Sequence, residues 1–376
     1  YPGESPVLKK SGSYADIYWP RAIIRITGDY IHLKGLEICY NTQESNAFYY
    51  GLIIYNGNNN ICEYLNIHHN GGTGSSIENS SVGNLILNCD IHHNSDPLSS
   101  DKYGNADGIG ISNIPAGSTN TIRGCRFWWN SDDGIDLWQN ESAALIDNCW
   151  SWNNGFIPDT YTNAGDGNGF KIGITSINHG NKTLRVIKNC IAYHNRQVGF
   201  DQNGALCRTE MFNNTSFLNG KNGFKFISPD IVTLVKNNIS INDPYESDFS
   251  NNSILENNSF LQDGEINTKY NVTDEDFVSL DETQLSKTRK ASGSLPDIDF
   301  MHLASGSDLI DTGSDVGLIY DGIAPDLGYA EYLTGSVPNP FPIYKSSSIA
   351  NTTPYILEII YNLPLANIIP PTSSFS

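Results

Sequence analysis

The chain of 376 residues carries 41 acidic against 22 basic side chains, so its formal net charge is −19 at neutral pH. A chain this acidic lacks the basic footprint of nucleic-acid-binding proteins, and we expect no nucleic-acid partner. No apolar run is long enough to cross a bilayer, and the seven cysteines show neither a Cys-x-x-Cys motif nor the spacing of a disulfide framework.

The first residues are typical of the middle of a strand-and-turn pattern. They contain neither an initiator Met nor the charged and apolar regions of a signal peptide. We therefore expect a leader, and a segment that caps the first repeat, to precede residue 1.

Eight phrases of one shape follow, and each ends in an asparagine. Residues 88–94 (NCDIHHN) and 124–130 (GCRFWWN) are two examples, with a Leu, Cys or Asn five positions before the last Asn. The eight asparagines are Asn41, Asn70, Asn94, Asn130, Asn154, Asn195, Asn219 and Asn242. Their intervals of 29, 24, 36, 24, 41, 24 and 23 residues indicate a repeat near 24 with two long insertions.

Short apolar runs separated by Asn and Gly predict strands and turns rather than helices. Asn tolerates the left-handed backbone of a tight bend, and amides stacked on coils about 4.8 Å apart can form a hydrogen-bonded ladder. We therefore predict an all-β parallel β-helix with an Asn ladder. A β-sandwich with Asn-rich turns is the alternative, but it would not keep a constant five-residue offset through eight units.

Cysteines and histidines also recur at fixed repeat positions. Cys89, Cys125, Cys149 and Cys190 precede their asparagines by five residues, which favours buried structural thiols. The pairs at 68–69 and 92–93 both lie just before an Asn of the repeat. Inherited repeat geometry therefore explains these histidines better than a metal site does.

A column of polar residues is predicted on one sheet. Asp136 and Asp201 lie six residues after an Asn of the repeat, as does Lys225. The shared Gly-apolar-X phrase adds Lys171 and Gly110 across the two insertions. The predicted order is Gly110, Asp136, Lys171, Asp201 and Lys225, with neighbours roughly 5 Å apart.

Four carboxylates crowd onto two adjacent coils in this alignment: Asp107, Asp132, Asp133 and Asp136. Like charges this close repel and raise one another's pKa unless a cation is present. A hard ion with flexible coordination, Ca²⁺ rather than Mg²⁺, suits four carboxylates. The alternative is a solvated acidic turn, because Asp-Asp-Gly is a common turn sequence.

Lys171 lies one coil beyond Asp136 and permits two interpretations. It either pairs with Asp136 and Asp201 as a structural salt bridge, or it acts as a base beside the ion. Flanking carboxylates raise the pKa of a lysine, whereas a neighbouring divalent cation lowers it. The ion must therefore dominate if Lys171 is to accept a proton near neutral pH.

The repeats fade near residue 263, and we divide the chain there. Residues 1–263 form the predicted β-helix, and residues 264–332 form an irregular extension packing on it, with a short helix near 281–290. Residues 333–376 are rich in Pro, Ser and Asn and are typical of a linker or partial appended segment.

These phrases together resemble polysaccharide lyase family 9, which contains pectate lyases and rhamnogalacturonan lyases. The similarity spans roughly residues 1–332. Its motifs are residues 105–108 (NADG), 130–137 (NSDDGIDL), 167–171 (GNGFK), 199–203 (GFDQN), 293–300 (GSLPDIDF) and 326–328 (DLG). One departure is Ile135, at a position where the family often has an aromatic residue.

The resemblance implies a right-handed parallel β-helix and a Ca²⁺-dependent lyase. The implied metal ligands are Asp107, Asp132, Asp133 and Asp136. The implied Brønsted base is Lys171, which would remove the C5 proton of a galacturonate so that the polymer is cut by β-elimination. Lys225 and Arg196 are predicted contacts for neighbouring substrate carboxylates.

The expected partner is an acidic polysaccharide, pectate first and rhamnogalacturonan I as the alternative with the same mechanism. We expect a monomer that is secreted, or held at the cell surface or in the periplasm, of a bacterium. The sequence leaves open the choice between the two polymers and between endo and exo action.

Two other functions remain open. A polygalacturonase-like hydrolase is suggested by residues 105–107, 132–133, His179-Gly180 and Arg185-x-x-Lys188, but Asn178 replaces the expected Gly and the Arg/Lys spacing differs. A non-catalytic carbohydrate-binding solenoid would use the tryptophans at 128, 129, 138, 150 and 152.

Overall fold

The computed structural model describes residues 6–14, 19–117, 119–173, 183–262, 265 and 267–333, and the backbone alone of 178–182, 344–350 and 356–361. Most of the strands in these residues belong to three sheets of nine parallel strands each. Each coil contributes one strand to each sheet in turn, so nine coils form a parallel β-helix, as predicted. Among the described residues, no helix is long and apolar enough to span a bilayer.

The strands of sheet 1 carry the repeated phrases. In order they are Val7–Lys9, Glu37–Cys39, Asn66–His68, Asp90–His92, Arg126–Trp128, Trp150–Trp152, Ile191–Tyr193, Thr215–Phe217 and Ile239–Ile241. Sheet 2 comes next in each coil: Arg21–Ile26, Tyr49–Tyr55, Thr73–Glu78, Ile109–Ser112, Ile135–Asp136, Phe170–Lys171, Phe200–Asp201, Asn222–Phe226 and Tyr245–Phe249. Sheet 3 closes each coil: His32–Lys34, Ile61–Glu63, Leu85–Leu87, Thr119–Arg123, Ala143–Asp147, Asn178–Lys188, Leu206–Phe212, Thr233–Lys236 and Ile254–Glu256.

Like residues stack on like residues in the interior. Alternate residues of each strand point inwards, and coils repeat the same inward positions. In sheet 2 the rings of Phe170, Phe200 and Phe224 are fully buried, with centroids 4.7 and 4.8 Å apart. This continuous apolar column fixes which residues of sheet 2 face outwards.

The Asn ladder is confirmed through seven coils. Each side-chain oxygen accepts from the coil before it; for example, Asn130 Oδ1 accepts from Asn94 Nδ2 at 2.9 Å. The prediction for Asn242 was wrong, because Asn219 donates instead to Asp243 Oδ1, at 2.7 Å from its backbone N. Asn242 is exposed, with φ 57°.

The left-handed corner residue precedes the ladder position rather than occupying it. His69 (φ 52°), Trp129 (φ 54°) and Asn242 all have positive φ, and each is followed by a buried ladder side chain. Asn tolerates this conformation, so Asn242 is suited to the corner. The composition of the phrase alone does not distinguish the corner from the ladder.

The predicted structural thiols have a second role in the backbone. The backbone N of Cys89 donates to Cys125 Sγ at 3.4 Å, and that of Cys149 donates to Cys190 Sγ at 3.4 Å. On the next coil an Asn takes over, and Cys190 donates to Asn214 Oδ1 at 3.1 Å. All seven cysteines are free and buried.

Residues 267–333 lie against the outer face of sheet 1. Leu285, Phe300 and Leu327 are buried with Trp150 and Tyr193 in an apolar cluster separate from the helix core. The segment contains two short 3₁₀ helices, Asp274–Asp276 and Glu282–Ser286, the second within the predicted region. Strands Tyr344–Ala350 and Ile356–Tyr361 pair antiparallel. The division into three segments stays a prediction.

Candidate active site

The polar column of sheet 2 has the predicted register. Gly110 pairs with Asp136, Asp136 with Lys171, Lys171 with Asp201, and Asp201 with Lys225. In the coils with Asp136, Lys171 and Asp201 the strand has only two residues, a buried apolar one followed by the polar one. The period of two therefore turns each polar side chain outwards.

Glycine is required just before these strands. A Cβ on Gly134 would lie 2.7 Å from the carbonyl O of Gly169 and would clash with Ser151 Oγ. Adjacent coils approach this closely only where neither has a side chain. The Gly-apolar-X phrase thus sets both the close approach and the outward direction of the third residue.

Both long insertions lengthen the turn between sheets 1 and 2, and the second one donates hydrogen bonds to the acidic residues. The backbone N and Nδ2 of Asn168 donate to Asp133 Oδ1 at 2.6 and 2.9 Å. The backbone N of Asp166 donates to Asp132 Oδ1 at 2.6 Å, and that of Asp133 donates to Asp107 Oδ1 at 3.2 Å. The second insertion therefore orients two of the carboxylates.

The four predicted carboxylates are brought together and are buried. No member is more than 8 % exposed. One carboxylate oxygen each from Asp107, Asp133 and Asp136 lie within 4.8 Å of one another, and the same holds for Asp132, Asp133 and Asp166. Asp133 belongs to both groups and lies at the centre of the cluster.

Lys171 faces this acidic cluster and not the hydrophobic interior. Its Nζ lies 2.9 Å from Asp133 Oδ2, 3.2 Å from Asp136 Oδ2 and 3.4 Å from Asp166 Oδ2. Its side chain is 8 % exposed. The amine is therefore held in place by ion pairs at the edge of the buried carboxylates.

Burial and mutual repulsion disfavour the charged form of these acids. Burial raises the pKa of Asp107 well above its usual value, and the Asp136 and Asp133 charges raise it further. The pKa of Asp132 is raised by burial and by Asp133 in the same way. Burial raises the pKa of Asp136 to about 7, although the Lys171 ammonium opposes the shift.

Lys171 shows the opposite balance. Burial alone lowers its pKa, but the charges of Asp133 and Asp136 outweigh burial and raise the pKa well above its usual value. One ammonium group cannot neutralise the surrounding carboxylates. The buried Asp133 Oδ2 and Asp136 Oδ1 also lack a hydrogen bond of normal geometry. An all-oxygen, strongly anionic pocket of this kind fits a hard divalent cation such as Ca²⁺.

The two predicted substrate contacts lie on the next coils. Lys225 is half-buried and lines an open cavity of about 310 Å³ together with Asp201 and Gln202. Arg196 is also half-buried, and its Nε donates to the Gly165 carbonyl at 2.8 Å. Arg196 therefore supports the insertion that carries Asp166.

Sequence reasoning missed Asp166 and Asn168, and it considered Trp138 only as a sugar contact of the non-catalytic alternative. The first two belong to the phrase that ends in Lys171, and a second Asp-Gly five residues before a proposed base was the available signal. Trp138 is 42 % exposed and lies in the turn that follows the strand Ile135–Asp136, where its backbone hydrogen-bonds the Asp136 carboxylate. Nothing in the local pattern separates it from the buried tryptophans.

The structure weakens both remaining alternatives. Arg185 of the hydrolase-like motif is fully buried and donates to the carbonyls of Ile172 and Asn140. The backbone of His179 lies in a sheet 3 strand, and its side chain is outside the described residues. Trp150 and Trp152 are buried, which leaves them unavailable as a sugar-binding platform.

Comparisons with known proteins agree with this geometry. A family described as "Pel9A-like, right handed beta helix region" matches residues 1–252. Pectate lyase L of Dickeya chrysanthemi is 34% identical over 328 residues, covering 85% of this chain and 71% of the relative. The crystal structure of pectate lyase Pel9A has a TM-score of 0.70 and 32% identity, covering 87% of this chain and 77% of that chain. A solved rhamnogalacturonan lyase has a TM-score of 0.70 and 30% identity, covering 81% and 78%.

The family match spans more than half of the chain, and the TM-score of 0.70 to pectate lyase Pel9A shows that the two share a fold. The predicted resemblance to polysaccharide lyase family 9, including the right-handed β-helix, is confirmed. The chain therefore belongs to the Pel9A-like right-handed β-helix family, and it is a polysaccharide lyase.

Proposed function

We propose that the chain is a Ca²⁺-dependent lyase that cleaves a galacturonate-containing pectic polymer by β-elimination, with pectate as the preferred substrate. The observation that carries this proposal is the position of Lys171, whose Nζ lies 2.9 to 3.4 Å from three carboxylates at the edge of the buried cluster. An amine beside an acidic pocket provides a base next to a cation site.

The metal ligands in this proposal are Asp107, Asp132, Asp133 and Asp136. When bound, Ca²⁺ supplies a Lewis acid that stabilises the negative charge developing on the uronate carboxylate as C5 loses its proton. The insertion amides of Asp166 and Asn168 hold two of the ligands in their orientation. Loss of these hydrogen bonds would loosen the site without changing its charge.

Lys171 accepts the proton in this proposal. The C5–H electron pair forms the C4–C5 double bond, the C4–O bond breaks, and the leaving oxygen takes a proton from water. Lys171 must be neutral to accept a proton. The charges of Asp133 and Asp136 raise the pKa of Lys171, and a divalent cation bound to these two carboxylates would offset that effect. Cation binding and the protonation of Lys171 are therefore coupled.

Three residues near the outer side of sheet 2 are proposed to contact the sugars next to the reacting one. Lys225 offers an ammonium to a substrate carboxylate, and Trp138 offers an exposed ring face to a sugar. Arg196 keeps the Asp166 insertion in place through its Nε, and we assign its terminal guanidinium nitrogens to a substrate carboxylate. All three remain proposals about substrate binding.

The second candidate substrate is the rhamnogalacturonan I backbone, in which a neutral sugar alternates with galacturonate. Asp201 favours it, because this carboxylate lies between Lys171 and Lys225 in the column. A uronate next to Asp201 would be repelled, whereas a neutral sugar would not. The charge order along the sheet is therefore compatible with an alternating polymer.

Both polymers should be assayed by the ultraviolet absorbance of the unsaturated uronate product, with and without chelator. The proposal expects absorbance that disappears with chelator and returns with Ca²⁺. New reducing ends without absorbance would indicate a hydrolase and overturn it. We also propose that the enzyme is monomeric and acts outside the cytoplasm of a bacterium, because its substrate is too large to cross a membrane.

A further inference from the structure

Three metal-ligating side chains converge on the outer face of sheet 1, on a different sheet from the acidic cluster. Glu37 and Cys39 are two residues apart on one strand, with the core residue Ile38 between them, so both point away from the interior. His68 is the register partner of Cys39 on the next coil. One donor atom from each of Glu37, Cys39 and His68 lies within 4.8 Å of the other two.

Both distances from Glu37 to the other two ligands have the spacing of a tetrahedral zinc site. His68 Nε2 lies 3.3 Å from Glu37 Oε1, and Cys39 Sγ lies 3.6 Å from the same oxygen. Zinc bonds of about 2.0–2.1 Å to N or O and about 2.3 Å to S place neighbouring tetrahedral ligands roughly 3.3–3.6 Å apart. We propose that Glu37, Cys39 and His68 bind Zn²⁺ with water as the fourth ligand.

The surroundings of His68 suit this role. Its Nδ1 lies 2.7 Å from Nδ1 of His69, and the tautomer in which His68 donates to His69 leaves the His68 Nε2 unprotonated and directed at Glu37. Zinc-bound histidines generally donate their other ring N–H to such a partner. On binding, the Cys39 thiol loses its proton to solvent and its sulfur forms the bond to the metal.

The ion has a route to the site. Cys39 is fully buried and the His68 side chain is 11 % exposed, but the Glu37 side chain is 33 % exposed. Lys9 is in register with Cys39 on the preceding coil and is exposed, so its flexible stem can direct the ammonium into solvent. The cluster is therefore covered but not sealed.

The next coil shows what the repeat provides without a metal. His92 occupies the register position after His68, and its Nε2 lies 3.1 Å from Asn66 Oδ1. Asn66 is in turn the register partner of Glu37. The amide of Asn66 is therefore a sufficient partner for a histidine in this repeat. The coil before it has a carboxylate and a thiol instead, and both are stronger zinc ligands.

The inferred ion would link the second coil, which carries Glu37 and Cys39, to the third coil, which carries His68. It is independent of the lyase proposal, because none of these residues belongs to sheet 2. Thiolate ligands select borderline-soft ions over Ca²⁺, so the two sites would not compete for the same metal. Zn²⁺ should raise the Tm of protein that is already saturated with Ca²⁺.

The test is Co²⁺ titration of the full chain in excess Ca²⁺, followed by absorbance. Ca²⁺ occupies the carboxylate pocket, and only a sulfur ligand gives a thiolate-to-cobalt charge-transfer band. The wild type should bind one Co²⁺ with this band, and Zn²⁺ should displace it. Cys39→Ser should abolish the band. The matched control His92→Asn, on the same column one coil later, should retain it.

Glu37→Gln and His68→Asn provide a second reading if Cys39→Ser does not fold. Each should weaken Co²⁺ binding at least tenfold, the lower end of what loss of even an outer-shell partner costs. No charge-transfer band in the wild type, or the same band in Cys39→Ser, would overturn the proposal. Co²⁺ binding without the band would assign the ion to the carboxylates and have the same consequence.

Discussion

Lys171 and Asp136 are register partners on adjacent strands of sheet 2, and their side-chain charges meet at 3.2 Å. Each follows a fully buried apolar residue, Phe170 or Ile135, whose position is fixed by the core. The pairing of the proposed base with a proposed ligand is thus a consequence of coil stacking. A substitution that alters coil stacking would move both side chains together. A substitution of Lys171 or Asp136 itself tests the role of that side chain alone.

Replacement of Lys171 by Ala should abolish elimination while leaving Ca²⁺ binding nearly intact. Loss of a positioned general base typically costs about 10²–10⁴-fold in rate. Product absorbance and Ca²⁺ calorimetry measure the two effects separately. Lys225→Ala, two coils further along the same column, is the matched control and should raise KM with little change in kcat. Retained turnover in Lys171→Ala would remove the residue from its role.

Asp133→Asn should lose both Ca²⁺ and activity. Asp133 is the most central of the proposed ligands, because it belongs to both carboxylate groups and contacts Lys171. Ca²⁺ affinity should fall by more than the roughly 10–100-fold that follows loss of an outer-shell partner. Asp248→Asn removes the same charge from the same column next to Lys225 and should bind Ca²⁺ normally. Equal losses in both variants would point to a general charge effect.

The stability of chelated protein should fall as pH rises from about 4 to about 7. The folded pKa of Asp136, about 7, exceeds the value of about 3.9 in an unfolded chain. The folded state then binds more protons across this window, so the free energy of unfolding decreases with increasing pH. Burial shifts the pKa values of Asp107 and Asp132 in the same direction. Thermal unfolding with chelator at several pH values measures the effect.

Ca²⁺ supplies the control for that experiment. It should raise Tm more at pH 7.5 than at pH 5, because the carboxylates must be ionised to bind it. A chelated protein that is most stable near neutral pH would contradict the assignment of strained carboxylates to this cluster.

The column in sheet 2 could be predicted because each of its members follows the same short phrase. Gly134 and Gly169 mark the close approach of adjacent coils, and the next two residues must then alternate in and out. The spacing of Asp136 and Lys171 in the chain is interrupted by an insertion, yet the phrase restores the register. Local sequence was sufficient because the constraint is local.

Other features depend on contacts between coils and were not predictable in this way. Asn168 binds Asp133 across a turn whose path the sequence does not specify. The sequence Asn242-Asp243 does not specify which residue takes the corner and which takes the ladder position. In the structure Asp243 takes the ladder position. Cys39 and His68 are 29 positions apart in the sequence and meet only when the chain between them is folded into a coil. Contacts of this kind can be identified only once the stacking of the coils is known.

Trp138→Ala should raise KM about tenfold, which corresponds to about 1.4 kcal/mol of lost binding free energy, with little change in kcat. The ring is 42 % exposed beside the proposed metal ligand Asp136, which allows it to stack on a sugar without touching the reacting atoms. Trp138→Phe keeps an aromatic face and should recover part of the affinity. Steady-state kinetics on pectate and rhamnogalacturonan I would separate the two substrates. An unchanged KM on both polymers would exclude this contact.

Asn154→Ala should destabilise the β-helix far more than Asn242→Ala. Asn154 Oδ1 accepts from the backbone N of Asn130 at 3.1 Å and from its Nδ2 at 3.0 Å, and both donors are buried. Each donor left without a partner costs about 1–3 kcal/mol. Asn242 lies at an exposed corner, so its loss removes no ladder bond. Chemical denaturation of both variants measures the difference in the free energy of unfolding. Equal destabilisation would mean that the asparagines act through corner conformation, because the ladder bonds distinguish only one of them.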